Sequence, residues 1–232
     1  MNFGSRFQLK LLEENAFFID CTFQIVPKGY YQLLNILIFS QISNCYVPVC
    51  YILMTGKHYN LYLTAFRALS DICFNYGMKL RPRIIMMDFE KGMRNAVLKV
   101  FPTAKLLGCF FHYAKCLWFW ASKHGLRTKN NIDQTKRIIL LMKILPHLSK
   151  ENKLELLKEI KILFKENPFA DFLKYWEKNW FDFDIDPTED IEGNDKLVRT
   201  NNIVEVYNRM KFKIGVNHPR SSFGKKQKIN MF

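Results

Sequence analysis

An α/β fold is predicted for this 232-residue chain by three observations. A short apolar run, Ile84-Ile85-Met86-Met87, ends on an acid, Asp88, and is followed at once by helical spacing. Upstream, a long stretch between Lys28 and Lys57 holds no charged residue and divides into two strand-length apolar runs. Beyond residue 132 the apolar residues return at helical period only. Strand signals mixed with helical spacing thus occupy the first half and helix signals alone the second, so one sheet with helices against it precedes an all-α segment.

Taken in order, residues 1–15 lack the uninterrupted apolar region of a signal peptide, and the protein is expected to stay inside the cell. The first strand is read at 17–26. Its alternation places Asp20, Thr22 and Gln24 on one face and Ile19, Cys21, Phe23 and Ile25 on the other. The charge-free stretch is interrupted by Gln32, Asn35, Ser40, Gln41, Ser43, Asn44 and Pro48, which argues against a membrane span. A buried hairpin of strands 31–39 and 46–54 about a turn at 40–45 is expected instead, followed by a helix over 60–76.

Ile84 to Met87 read as a strand buried on both faces, with Asp88 at its carboxyl end, where open α/β sheets place their chemistry. Phe89, Met93, Ala96, Val97 and Val100 mark the helix behind it, and Phe101-Pro102 stops that helix. A further strand is read at 105–111, delivering His112. Runs at 138–145 and 154–164, separated by Pro146 and Pro168, are helical, with Trp176 and Trp180 as core residues. Asp182, Asp184 and Asp186 mimic the opening of a calcium loop, but Pro187 replaces the required glycine and Gly193 the closing glutamate. Residues 181–195 therefore read as an acidic surface loop. The last helix carries Ile203, Val206, Tyr207, Met210 and Ile214 as its buried stripe, with Glu205 on the other side beside Asn202 and Arg209.

Each acid has a plainer role to weigh. Asp88 can cap the helix after it, with Glu90 favoured in the first turn by the helix dipole. Asp20 can be an exposed strand residue. Glu205 can reach back to Asn202 in a capping-box arrangement. The six cysteines lie in apolar runs at irregular spacing and indicate free thiols in a reducing compartment. Cys109-x-x-His112 with Cys116 resembles half of a zinc site and lacks a second ligand pair, so a buried, thiol-bearing core strand is the reading adopted. A net charge of +14 suits a polyanionic partner. Cations gather at Lys123, Lys129, Lys136 and Arg137, and again at Arg209, Lys211, Lys213, Arg220, Lys225, Lys226 and Lys228.

Four segments, I-D-C-T-F-Q-I-V-P with the following Y-Y-Q-L-L, M-D-F-E-K-G-M-R-N-A-V-L-K-V-F-P, G-C-F-F-H-Y, and R-T-N-N-I-V-E-V-Y-N with H-P downstream, occur in one order between Phe17 and Pro219. In these segments the chain resembles the catalytic domain of Mutator-like element (MULE) transposases. That resemblance implies a ribonuclease-H-like mixed sheet with flanking helices and an all-α insertion before the last catalytic helix. It implies a catalytic and metal-binding triad of Asp20, Asp88 and Glu205, with Cys109 and His112 as the family's C-x-x-H signature. Cys21 departs from the family, which often has glycine there. The boundaries that follow are residues 1–125 and 196–220 for the core, 126–195 for the helical insertion and acidic loop, and 221–232 for a basic tail.

The activity implied is DDE-type DNA cleavage and strand transfer with Mg²⁺ or Mn²⁺, hard cations that prefer carboxylate oxygens. DNA is the implied partner, met in the nucleus through Arg209, Lys211, Lys213 and Arg220, with no membrane role and with homo-oligomerisation left open. The zinc-chelating recognition module usual in the family is not visible in this sequence, so a catalytic core encoded without it is expected. A catalytically inactive, transposase-derived DNA-binding or interaction protein is the alternative, and a nuclease that cuts without joining is a narrower one.

Overall fold

The computed structural model describes residues 2–3, 6–13, 16–23, 25–40 and 44–183. A two-residue strand β1 (Asn2–Phe3) and a short helix α1 (Arg6–Lys10) precede three longer strands, β2 (Phe17–Thr22), β3 (Gln32–Ser40) and β4 (Cys45–Met54). Antiparallel pairing of β2 with β3 and of β3 with β4 makes these three a meander. Gly29 sits at φ +94° between β2 and β3 and Asn44 at φ +48° between β3 and β4, left-handed values that glycine and asparagine tolerate best. The first strand ends at Thr22, short of residue 26, because its partner β3 begins opposite it with Leu33, leaving Pro27 and Gly29 to the turn. Between the pairs Ile36↔Cys50 and Leu37↔Pro48 the register slips by one residue, so Val49 is the extra residue of a bulge. Pro48 sits beside that bulge, where a missing backbone donor is tolerated.

Helix α2 (Tyr59–Asn75) then carries the chain over the sheet to β5 (Ile84–Met87), which pairs parallel with β2. Tyr62, Ala65, Phe66, Leu69 and Cys73 form its buried stripe. It stops where Gly77, at φ +77°, lets the Gly77 and Met78 amides bond back to Phe74 and Cys73, a Schellman closure. Helix α3 (Lys91–Val100) and strand β6 (Lys105–Gly108) follow. The strand order is β1-β4-β3-β2-β5-β6. Apart from the edge strand β1, this is a meander whose first strand lies in mid-sheet beside a parallel fourth, the mixed ribonuclease-H-like sheet with flanking helices. Ile19, Leu34, Ile36, Ile52, Ile85 and Met87 point from the sheet into one core with the stripes of α2 and α3. There Phe17 and Phe66 meet Phe101 edge-on at 6.0 and 6.5 Å. Each such side chain contributes about 1.5–3 kcal/mol by burial.

The described residues fall into two compact units divided between Leu106 and Leu107. The second is all helix beyond β6: α4 (Phe110–Lys123), α5 (Ile132–Ile144), α6 (Lys150–Leu163) and α7 (Phe169–Trp180), with a 3-10 turn at Leu145–His147. Trp176 and Trp180 are buried, and the Trp176 indole donates to the Tyr113 hydroxyl at 2.7 Å, which donates in turn to the Met142 carbonyl at 2.5 Å. The expected strand at 105–111 is corrected here. It ends at Gly108, and Cys109 caps a helix whose buried face, Tyr113, Cys116, Leu117 and Ala121, continues the same apolar run at period 3.6. Cys109 is accordingly buried at a helix start and not on a core strand. All six cysteines are free, and no described helix is long and apolar enough to cross a membrane.

Candidate active site

Parallel pairing of β2 with β5 sets the centre of the site. Phe17 lies opposite Ile85 and Phe18 opposite Met86; two residues further along each chain stand Asp20 and Asp88. Neighbouring strands lie about 4.8 Å apart, so Asp20 within β2 and Asp88 just past the end of β5 stand at matching positions of the parallel pair. The face Asp20 shares with Phe18 is opposite to the α2/α3 core, which takes Phe17, Ile19, Ile85 and Met87 instead. Asp20 is only 4% exposed, so the polar face of β2 is not a solvent face. Across the antiparallel ladder its register partner is Asn35, which is fully buried.

Asp88 is half-buried one residue beyond β5. Its carboxylate accepts the Glu90 amide at 2.9 Å, and its carbonyl accepts from the Arg94 guanidinium at 3.4 Å. That first bond closes a turn, so α3 begins at Lys91 instead of Phe89. The N-cap of α3 is Glu90 and not Asp88, so the capping role weighed for Asp88 is replaced by this turn, which occupies one carboxylate oxygen. A hard divalent cation is a natural partner for carboxylate oxygens at such positions.

Behind the pair lies a polar cluster that sequence reasoning missed. Tyr62 of α2 and Gln32 of β3 are both fully buried, and the Gln32 amide donates to the Tyr62 hydroxyl at 2.8 Å. Burial, then the charge of Asp88, pushes the Glu90 carboxyl above its usual range, while a hydrogen bond with Tyr62 and the charge of Lys57 pull it back. The Cys21 thiol is pushed well up by burial and by the charges of Asp88, Asp20 and Glu90, with a Tyr62 hydrogen bond opposing. Tyr62 is likewise pushed up, chiefly by burial. Cys21, Tyr62 and Glu90 thus all feel the charge of Asp88, and Cys21 that of Asp20 as well. The only sequence signal was the two-residue spacing of Asp88 and Glu90; Tyr62 is indistinguishable in sequence from any apolar-face residue of its helix.

Cys109 and His112 lie in the second unit, at the N-cap and in the first turn of α4. Glu205, Arg209, Lys211, Lys213 and Arg220 lie outside the described residues. Among the described residues, no group of three His, Cys, Asp or Glu side chains is arranged to hold a metal ion. The donor chemistry of Asp20 and Asp88, two oxygen anions at adjacent register positions, nonetheless fits Mg²⁺ or Mn²⁺, which complete their shells with water or a third acid.

Residues 16–116 match the family model described as MULE transposase domain. No curated protein matches the chain. Among solved structures, the trimeric form of the HTLV-2 integrase catalytic core domain in complex with magnesium is 13% identical, covering 72% of this chain and 86% of its own, with a TM-score of 0.26. The dimeric form of the same domain is 13% identical, covering 74% and 90%, with a TM-score of 0.27.

Proposed function

From the MULE transposase domain that this chain carries over residues 16–116, we infer that the protein is the catalytic core of a DDE-type DNA transposase. The observation that supports the reading is the parallel register of β2 and β5 inside the matched segment, Phe18 opposite Met86, with Asp20 and Asp88 each two residues further on. Glu205 would supply the third acid. Bound there, paired Mg²⁺ or Mn²⁺ ions would activate the attacking oxygen and stabilise the leaving oxygen of an in-line displacement at a DNA phosphate. Asp20 and Asp88 would hold the ions from rigid strand ends, and the Glu90 amide would keep one Asp88 oxygen turned inward. Arg209, Lys211, Lys213 and Arg220 would contact the DNA backbone, and the nucleus is the proposed place of action.

Mn²⁺-dependent nicking of plasmid DNA by the purified chain and by Asp88→Asn, both shown folded by circular dichroism, tests this. The parent is expected to nick. Loss of a direct ligand should reduce the rate about 10²-fold or more, since outer-shell partners alone cost 10–100-fold. Absence of nicking by both proteins favours the inactive DNA-binding alternative, and equal nicking by both removes Asp88 from the proposed site.

A further inference from the structure

Helix α4 of the second unit carries an aromatic and cationic face that has no part in the site described above. Opposite its buried stripe, at intervals of three and four residues, stand Lys115, Phe119, Ser122 and Lys123, all exposed. Phe119 is 52% exposed, so half of a large apolar ring faces water with a lysine one helical turn to either side. Trp118, half-buried, borders the same face. The Arg127 guanidinium lies over its indole, 5.7 Å from the ring centroid, and donates to the Ser122 hydroxyl at 2.9 Å. Those two contacts lay a third cation, from beyond the end of the helix, against the aromatic edge.

The helix and its flanks supply positive charge only: no Asp or Glu stands between Glu90 and Asp133. The other three helices of the unit pair their lysines with acids, Lys136 with Asp133 at 3.2 Å, Lys161 with Glu177 at 2.6 Å and Lys174 with Asp171 at 3.1 Å. Solvated helix faces mix signs in that way. A face of one sign around exposed rings complements a polyanion that also offers flat apolar surface. A nucleic acid strand with unpaired bases has both, phosphates for the cations and base faces for the rings, whereas the bases of a duplex are stacked on one another. We propose that this face of α4 binds an unpaired stretch of DNA, with a base stacked on Phe119 and the neighbouring phosphates against Lys115, Lys123 and Arg127. DNA as the partner rests on the function proposed above; the surface and the form of the DNA go beyond it.

The test is fluorescence anisotropy of a labelled oligothymidylate and of a labelled duplex of equal length, titrated with the full chain in EDTA so that no cleavage intervenes. Phe119→Ala should weaken strand binding about tenfold, the order of loss expected for one base stacked on an aromatic ring, and leave duplex binding unmoved. Phe119→Tyr, which keeps a ring, should bind the strand as the parent does. Lys115→Ala and Lys123→Ala should each make the salt slope of strand binding shallower by about 0.7. All four substitutions fall on the exposed face, so melting temperatures should stay with the parent's. Leu140→Ala, at a 60% exposed site on α5, controls for loss of surface apolar area and should leave strand binding unmoved. Strand binding by Phe119→Ala equal to the parent's, or an equal loss for strand and duplex, overturns the stacking surface alone. So does a parent dimer that Phe119→Ala converts to monomer in sedimentation with strand binding unmoved, which assigns the face to a second copy. A parent that binds neither DNA overturns the surface and the proposed function together. Phe119-dependent strand binding by a parent that does not nick leaves the surface standing and removes the catalytic reading.

Discussion

Glu90 shows how one residue's chemistry is set by its neighbours. In the sequence it is an ordinary acid in the first turn of a helix, where the dipole favours negative charge. In the fold it is half-buried beside Asp88, and desolvation followed by that charge raises its proton affinity. An acid whose folded value is raised contributes stability that is fully present below the ordinary value, 4.5, and lost as pH rises through the folded value. Glu90→Gln, which keeps an acceptor for Tyr62 and cannot ionise, should therefore melt higher than the parent at pH 7, with the difference closing below pH 4.5. Melting curves of both proteins across that range check this. Asp20 carries the companion lesson: its alternation on β2 was legible, but its depth of burial was not, since alternation separates faces without saying which of them other elements cover.

Elements were legible where periodicity was unambiguous. The hairpin strands, β5, α2 and α6 lie within a residue or a few of where alternation, turn residues and helical stripes put them, because each pattern is long enough to exclude the other period. Residues 105–111 misled for the opposite reason: seven mostly apolar residues fit a buried strand and a buried helix start equally well, and the decision came from Tyr113, Cys116 and Leu117 further on. Tyr113 also ties α4 to α5 and α7, accepting from Trp176 and donating to the Met142 carbonyl. Its hydroxyl is buried, and burial pushes its proton affinity up. Tyr113→Phe leaves a buried indole donor and a buried carbonyl without it, so the second unit should lose about 1–3 kcal/mol of stability. Urea unfolding monitored by tryptophan fluorescence measures that loss, since all four tryptophans lie in this unit.

For the molecule as a whole, the decisive quantity is charge, +14 over 232 residues. A surface of that sign meets DNA mainly through phosphates and releases counterions on binding, so affinity should fall linearly on a log–log plot against salt, with a slope of about −0.9 per phosphate neutralised. Fluorescence anisotropy of a labelled duplex between 50 and 200 mM salt reads that slope; a flat response would remove DNA backbone contact from the proposal. The sequence by itself determined the class of fold, most of the strands and helices along the chain, the free thiols and the likeness of residues 16–116 to the MULE transposase domain model, because hydrophobic period, turn chemistry and local motifs are properties of short stretches. Only the tertiary structure decided that β5 lies parallel beside β2, which sets Asp20 and Asp88 at matching positions of the two strands, and that α2 lays the Tyr62 hydroxyl against the Gln32 amide. These are juxtapositions of residues tens of positions apart, and no local pattern encodes which surfaces will meet when the core closes.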